Sequence, residues 1–188
     1  GGGGGSIARR DAAGGLAVGP QSAGADPGPA CYGRGGTEPT VTDAYVVLGF
    51  LDPAKFLGGS MRVDPALAEQ AIGRLAGALG RGVPETAEAI LRVATAYMYA
   101  KLVTLLAQRG ADKAEFTLMA FGGAGPTHAF LAARELGIDR VLVPYFPGTF
   151  CALGCLLADA RSDFIRTVYL PTKDGTEPEV VAPHAAVR

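Results

Sequence analysis

The feature that most limits how this chain can fold is a glycine-rich break between two apolar segments. An apolar run from Phe116 to Phe121 ends in Gly122-Gly123-Ala124-Gly125-Pro126, and a helical pattern then continues to Leu136. The run has the length and composition of a buried strand. Glycines at its end allow a sharp turn and a close approach of the backbone to a ligand. The sequence therefore predicts a strand–turn–helix unit.

The same alternation continues downstream and predicts the fold class. A second buried strand is expected over Val141–Val143, a helix over Thr149–Leu157, and a last strand over Asp163–Leu170. Strands that alternate with helices are typical of α/β folds, in which buried strands appear as continuous apolar runs. This half of the chain is therefore predicted to have the order β-α-β-α-β.

The first half begins with a predicted β-hairpin and a long loop. Two short apolar segments, Ser6–Arg9 and Leu16–Val18, flank a Gly-Gly turn, which is a hairpin pattern. An irregular, glycine- and proline-rich loop runs from Asp26 to Asp43. Thr42-Asp43 is the expected N-cap of a short helix over Ala44–Leu48.

Two longer helices are predicted between the loop and the β-α-β-α-β segment. Asp64-Pro65 supplies an N-cap and a proline at the first helical position, and Gly80 ends that helix. Pro84 begins the second helix, and Gly110 follows its end.

Composition excludes several classes of protein. Of the 188 residues, 48% are hydrophobic and 19% are charged, which is too apolar for a disordered chain. A net charge of −1 gives no electrostatic basis for binding nucleic acid or an anionic membrane. No apolar run approaches the roughly 20 residues that span a bilayer. Residues 1–170 are expected to form one lobe, and residues 171–188 a disordered tail.

The cysteines predict a reducing compartment. Cys31, Cys151 and Cys155 are the three cysteines of the chain, too few for a disulfide framework. The apolar sequence around Cys151 and Cys155 predicts that both are buried as small hydrophobic residues. We therefore expect a cytoplasmic location.

Two glycine bends are predicted anion sites. At Gly122–Pro126, the free amides and the positive dipole end of the following helix would point at a nucleotide or another anion. A tight turn that only packs helix against strand explains the same residues. Gly3-Gly4-Gly5-Ser6 can form a backbone nest for phosphate oxygens, with the serine hydroxyl as a further ligand. Here the alternative is a flexible linker.

His128 and Asp43 are the candidate catalytic residues. His128 lies in the first turn of the helix after the second bend, where the dipole is expected to lower its pKa. It can serve as an acid–base group or can hydrogen-bond a neighbouring loop. Asp26, Cys31 and Asp43 are candidate metal ligands, although their spacing matches no zinc pattern. Otherwise the loop is a set of turns with Asp43 as a helix cap.

Five segments extend the pattern over nearly the whole chain, and these are Gly3–Ala8, Val18–Gly36, Pro39–Ala44, Phe56–Gly59 and Phe121–Ala129. Together they resemble the hydantoinase A / 5-oxoprolinase family, which also includes the ATP-dependent subunit of acetone carboxylase. Family members typically have Asn and Leu where this chain has Tyr45 and Thr127.

The resemblance implies one half of an actin-like ATPase core, related to Hsp70 and sugar kinases, that binds ATP and Mg²⁺. Gly3–Ser6 would belong to the second phosphate-binding loop and Gly122–Gly125 to the adenosine-side loop, so both bends should face one ligand. The implied activity is ATP-dependent hydrolysis of a cyclic amide or imide, of the hydantoin or 5-oxoproline type. Its chemistry would be phosphoryl transfer to a substrate oxygen.

Two alternatives stay open, namely a subunit of an ATP-dependent ketone carboxylase and a non-catalytic nucleotide-binding or assembly lobe. The first phosphate loop of the family is absent from the sequence. We therefore expect an incomplete C-terminal lobe that is inactive alone. Its expected partners are the cyclic substrate, an N-terminal lobe or a hydantoinase B-type subunit, and further copies in an oligomer.

Overall fold

The computed structural model describes residues 3–110, 112–159 and 161–163. The chain divides into two units, Gly1–Leu156 and Leu157–Arg188. The first holds the secondary structure that positions the site. In the second, the guanidinium of Arg161 lies 2.8 Å from the carboxylate of Asp163. The predicted tail and nearly all of the predicted strand at 163–170 lie outside the described residues.

The predicted hairpin is confirmed. Strands β1 (Ser6–Arg10) and β2 (Leu16–Ser22) pair antiparallel. The carboxylate of Asp11 closes the turn between them by accepting hydrogen bonds from the amides of Ala13 and Gly15, at 3.0 and 2.8 Å. An aspartate that binds the backbone two residues on is a common turn device.

The first helix, α1 (Val41–Val47), begins earlier than predicted. Its N-cap is Thr40, so the prediction of Thr42-Asp43 is wrong. The Thr40 hydroxyl accepts from the amide of Asp43 at 3.3 Å, and the Asp43 carboxylate accepts from the amide of Thr40 at 2.8 Å. This reciprocal capping box needs an acidic residue three positions after the threonine, a spacing that only Thr40 has.

The two longer helices match their predicted boundaries. Helix α2 (Pro65–Leu79) begins after Asp64, whose carboxylate accepts from the amide of Ala66 at 2.9 Å. It ends at Gly80, which has the left-handed conformation of a C-cap. Helix α3 (Val83–Gln108) begins one residue before Pro84 and is 26 residues long.

The main core lies between the hairpin, α1, α2 and the first half of α3. The two strands of the hairpin and the three helices all contribute buried residues, and these are Ala8, Val18, Val41, Ala44, Tyr45, Ile72, Leu75, Ala87, Ile90, Leu91 and Ala94. The alanines allow the helices to approach closely while the larger side chains fill the space between them.

Helix α3 corrects one expectation from composition. With a mean hydropathy of 1.4, it is long and apolar enough to cross a membrane. Its first half buries Ile90 and Leu91 in the main core. Its second half leaves Tyr97 and Leu105 exposed.

The β-α-β unit is confirmed in order but not in extent. Strand β3 (Leu118–Met119) pairs parallel with β4 (Val141–Leu142), and α4 (Gly125–Leu136) connects them. Each strand has two residues, and β4 is exposed where a buried strand was predicted. Within the described residues this sheet has only two strands, so its apolar side chains lack the cover that a wider α/β sheet provides.

The last helix also differs from its prediction. Helix α5 (Phe150–Leu157) follows a short 3₁₀ turn at Pro147–Thr149. Its cysteines, Cys151 and Cys155, are exposed free thiols, so the prediction that they are buried is wrong. An apolar sequence predicts burial only where another element covers the helix, and α5 has no buried residue.

Candidate functional site

Both glycine bends line one cavity of about 410 Å³. Gly3 contributes from the first bend, and Gly123, Ala124 and Gly125 contribute from the second. The remaining walls are mostly apolar and come from α1, α3, β3 and α4, with Val41, Met98, Leu102, Leu118, Met119, Phe121 and Ala132 among them. The structure thus brings together two segments that lie more than 100 residues apart.

The first bend is tied to its surroundings on both sides. The carbonyl of Gly4 accepts from the amide of Thr42 at 2.8 Å, and that of Gly5 accepts from the amide of Ala23 at 2.8 Å. A Cβ atom on Gly4 would lie 2.5 Å from the Thr42 hydroxyl oxygen and 3.5 Å from the Cβ of Ala124. Glycine is therefore required where the two bends approach each other. These bonds argue against a flexible linker.

The second bend opens into a helix N-terminus without a side-chain cap. Gly122 has φ = 86° and donates its amide to the carbonyl of Pro147 at 2.8 Å. The N-cap residue of α4, Ala124, makes no side-chain hydrogen bond. A Cβ atom on Gly123 would meet no atom within 4 Å. Uncapped amides beside open space are the geometry in which a helix N-terminus can take an anion.

His128 is buried and bonded at both ring nitrogens. It is 3% exposed; its Nδ1 lies 2.5 Å from the Tyr45 hydroxyl, and its Nε2 lies 3.0 Å from the Thr95 hydroxyl. The Thr95 hydroxyl donates its proton to the carbonyl of Leu91 at 2.7 Å, so it must accept from Nε2–H. Nδ1 then accepts from Tyr45, and we assign the neutral Nε2–H tautomer.

Burial supports this protonation state. It lowers the pKa of His128 from its ordinary value of 6.5 and raises the pKa of Tyr45. The predicted direction for His128 is correct, but the cause is desolvation rather than the helix dipole. Both ring nitrogens are engaged by protein hydroxyl groups, and the acid–base role of His128 stays a prediction. The partners are two helices, α1 and α3, and not the loop considered from the sequence.

The carboxylate of Asp43 holds the long loop against α1. It is fully buried and accepts four hydrogen bonds: from the amide and hydroxyl of Thr40 at 2.8 and 2.7 Å, from the amide of Cys31 at 2.8 Å, and from the amide of Ala30 at 3.3 Å. Asp43 is thus part of a helix cap, the second of its two interpretations. Its acceptor positions are occupied by the protein itself, which leaves its predicted catalytic role without geometric support.

The three candidate metal ligands do not form a metal site. Asp26 is exposed at the surface, whereas Cys31 is buried beside Asp43. Burial, with the neighbouring Asp43 carboxylate as a second cause, raises the pKa of the Cys31 thiol, which keeps it in the protonated form that metals do not bind. Over the part of the chain that the structure describes, no three His, Cys, Asp or Glu residues are grouped to hold a metal ion.

Sequence reasoning missed Tyr45 and Thr95, the partners of His128. Both are polar residues within apolar helical stretches, and a buried polar group requires a partner. That rule predicts that the hydroxyl group of Thr95 has a hydrogen-bond partner. The sequence does not indicate the partner, because His128 lies 33 residues from Thr95 and 83 from Tyr45.

Comparison with known proteins identifies the family. Residues 1–164 match the sequence profile described as hydantoinase/oxoprolinase. The chain belongs to the hydantoinase/oxoprolinase family. The resemblance that the glycine-rich segments carry is therefore confirmed.

One named relative is a subunit of a caprolactamase. The chain is 42% identical over 173 residues to the caprolactamase subunit alpha of Pseudomonas jessenii, an alignment that covers 92% of the chain and 25% of that relative. The crystal structure of the ATP-dependent caprolactamase from Pseudomonas jessenii matches with a TM-score of 0.75 and 44% identity, over 84% of this chain and 23% of that one. This family member therefore spans about a quarter of the length of its curated relatives.

A second solved structure has the same fold in this region. The nucleotide-free structure of acetone carboxylase, an enzyme of ATP-dependent acetone carboxylation, matches with a TM-score of 0.76 and 32% identity, over 83% of this chain and 22% of that one. Both matches support a mixed α/β architecture for the described family segment.

Proposed function

We propose that this chain forms part of the ATP site of a larger enzyme that hydrolyses a cyclic amide or imide, of the hydantoin or 5-oxoproline type. The observation that carries the proposal is the single cavity lined by both glycine bends. The family and the ATP-dependent caprolactamase relative support it. Because the chain covers only 25% of such a relative, the remaining parts of the site belong to other segments or subunits.

The residues present fit a nucleotide in two ways. The amides of Gly125 and Thr127 precede the first intrahelical bond of α4, which runs from His128 to Ala124, and can donate to oxygen atoms of the nucleotide. Apolar wall residues, such as Met98 and Leu102, are suited to the faces of a purine base. ATP would supply the phosphoryl group that activates the substrate oxygen. The task of this chain is then to bind and orient the nucleotide and to exclude water from it.

We also propose the finer assignments that the family resemblance implies. The fold would be one half of an actin-like ATPase core, with Gly3–Ser6 as a phosphate loop and Gly122–Pro126 as the adenosine-side loop. Mg²⁺ would accompany ATP, but the described residues offer no cluster of ligands for it, and no step is assigned to it. The proposed setting is a cytoplasmic oligomer with an N-terminal lobe or a hydantoinase B-type subunit.

The variant Gly123→Val tests the nucleotide assignment. A side chain at Gly123 meets no protein atom within 4 Å, so the fold should tolerate it while the side chain blocks a ligand from the backbone. We expect the Kd for ATP, measured by calorimetry, to rise at least tenfold. Gly77→Val is the matched control, because Gly77 is also free of neighbours within 4 Å and lies on the exposed face of α2.

Both variants should unfold at the same temperature as the parent chain within a few degrees. ATP binding that survives unchanged in Gly123→Val would remove the second bend from the nucleotide site. A parent chain without measurable affinity for ATP would count against the proposed function itself.

A ketone carboxylase is the second candidate function, because the acetone carboxylase structure matches as well as the caprolactamase structure. Substrate-dependent ATP consumption distinguishes the two. The chain would be combined with the missing part of the enzyme and assayed with hydantoin, 5-oxoproline, and acetone plus bicarbonate. Turnover with acetone alone among these favours the carboxylase. ATP binding without turnover on any substrate favours a non-catalytic nucleotide-binding or assembly lobe.

A further inference from the structure

Helix α1 contacts both glycine bends from one side. At its first turn, the amide of Thr42 donates to the carbonyl of Gly4 at 2.8 Å. Three residues later, the Tyr45 hydroxyl bonds to Nδ1 of His128, which lies in the first turn of α4. Residues three apart on a helix lie on the same face. Helix α1 therefore holds the first bend through the backbone amide of Thr42 and the helix that follows the second bend through the side chain of Tyr45.

His128 also connects α4 to α3 through a hydrogen bond. Its second nitrogen bonds to the Thr95 hydroxyl at 3.0 Å, and that hydroxyl bonds to the carbonyl of Leu91 at 2.7 Å. Tyr45, His128 and Thr95 are 1%, 3% and 7% exposed. A buried donor or acceptor that loses its partner is costly, so this chain of bonds resists sliding of α4 along α1 or α3.

Helix α1 is itself fixed at its start. The Asp43 carboxylate bonds to the amides of Ala30 and Cys31 as well as to Thr40. The long loop and the capping box thus hold α1 at the end that contacts the first bend. Thr42 and Tyr45 lie on either side of this anchored residue.

We propose that Tyr45, His128 and Thr95 are positioning residues that set the placement of the second glycine bend relative to the first, with α1 as the common anchor of both. As a part of nucleotide binding, this inference rests on the proposed function. The three side chains hold the start of α4 through buried hydrogen bonds, and the amides of that start are the ones offered to the nucleotide. Without the bonds, the cavity loses its fixed width.

The test removes single hydroxyl groups and keeps the side-chain shapes. Tyr45→Phe deletes the bond to Nδ1, and Thr95→Val deletes the bond to Nε2. Tyr97→Phe is the control for the first variant. It removes the same hydroxyl group from a tyrosine of α3 that is 57% exposed. Thr95→Ser is the control for the second variant because serine keeps the hydroxyl group.

Two quantities are measured in each variant. Hydrogen exchange reports the amides of Gly122 and His128, which are bonded at the second bend, against Ala71 in the core of α2. Calorimetry reports the Kd for ADP. We expect exchange at the two second-bend amides to rise at least tenfold more than at Ala71, and the Kd for ADP to rise about tenfold, in Tyr45→Phe and Thr95→Val but not in the controls.

The outcomes separate this inference from the proposed function. Equal acceleration at all three amides would mean a general loss of stability and would overturn the positioning role. Unchanged exchange and unchanged ADP binding in both variants would overturn it as well, while leaving the nucleotide site intact. Selective acceleration in a chain that binds no ADP would support the positioning role and overturn the proposed function.

Discussion

His128 shows how burial at a single residue determines its chemistry. Adding a proton to Nδ1 would turn this nitrogen from an acceptor into a donor, so it could no longer accept from the Tyr45 hydroxyl. It would also place a positive charge on a side chain that is 3% exposed. Water is not available there to solvate that charge. The neutral form is therefore part of the folded state.

This neutral state makes stability depend on pH. Since the pKa of His128 is lowered in the folded chain from 6.5, the unfolded chain takes up the proton first on acidification. The contribution to stability is complete above pH 6.5 and is lost as the pH falls below it, with a slope of up to about 1.4 kcal/mol per pH unit. Urea unfolding between pH 7.5 and 5.5 measures it.

Substitution of each histidine in turn isolates the effect. His128→Gln should remove this part of the pH dependence, whereas His184→Gln, at the other histidine of the chain, should leave it unchanged. Equal loss of stability on acidification in the parent and in His128→Gln would contradict the lowered pKa of His128 in the folded chain.

Gly36 is a second residue that its surroundings constrain, because they leave no space for a side chain. A Cβ atom there would lie 2.2 Å from the carbonyl oxygen of Gly28, and backbone cannot move aside as a flexible side chain can. We expect Gly36→Ala to lower the free energy of unfolding by about 1–3 kcal/mol through overpacking. Gly77→Ala, in the open on α2, should raise it by about 0.5–1 kcal/mol. Chemical denaturation of both variants compares the two; a neutral Gly36→Ala would show that the loop is loosely packed.

At the scale of elements, local signals predicted boundaries where one residue determines them. Asp64 and Gly80 bound α2 because an N-cap acceptor and a left-handed glycine act within one turn. The start of α1 was misplaced because Thr40 and Thr42 are both possible caps, and only the spacing to Asp43 separates them. Capping is readable from sequence when the whole motif is considered.

The strands were less predictable, because exposure is not a local property. The apolar runs at 116–121 and 141–143 predict buried strands, yet β3 and β4 pair over two residues each and remain partly open. Likewise, the bonds of His128 depend on helices 33 and 83 residues away. The glycine bends were predictable as turns, and both line one cavity, whereas the hydrogen-bond network beside them was not predictable.

The capping box predicts a large effect for a small change in α1. Asp43→Asn replaces one carboxylate oxygen by an amide nitrogen, which then faces either the Cys31 amide, bonded to Oδ1, or the Thr40 and Ala30 donors, bonded to Oδ2. We expect a loss of about 2–4 kcal/mol in the free energy of unfolding, because bonds to a charged group are lost inside the core. Asp64→Asn, at the exposed cap of α2, should be nearly neutral because Asn caps as well as Asp.

Thermal and urea unfolding of the two variants provide the measurement. A similar small loss in both would mean that the Asp43 carboxylate adds no more than an ordinary cap and that the loop does not depend on it.

At the scale of the whole molecule, the described residues expose more apolar side chains than a lone globular chain usually does. They lie on the β3–β4 pair, α4 and the segments after β4, and include Met119, Phe121, Phe130, Val141, Leu142, Val143, Tyr145 and Phe146. Contiguous apolar patches above a few hundred Å² mark interaction surfaces. The caprolactamase subunit alpha of Pseudomonas jessenii is about four times as long as the segment that aligns with this chain.

We therefore expect the isolated chain to self-associate at micromolar concentration and to bind a hydrophobic dye. Sedimentation velocity and dye fluorescence measure the two effects. Under the proposed function, co-expression with the other part of the proposed enzyme should reduce both. A monodisperse monomer that binds no dye would show that these side chains need no partner.

The main core has one further consequence, for the order in which the molecule assembles. Its buried members run from Ala8 to Ala94, so all of them are synthesised before α4, which begins at Gly125. Hairpin, α1, α2 and the first half of α3 can collapse early, since chains fold from the N-terminus as they emerge. His128 then arrives at a surface where Tyr45 and Thr95 are already in place, and its docking closes the site last.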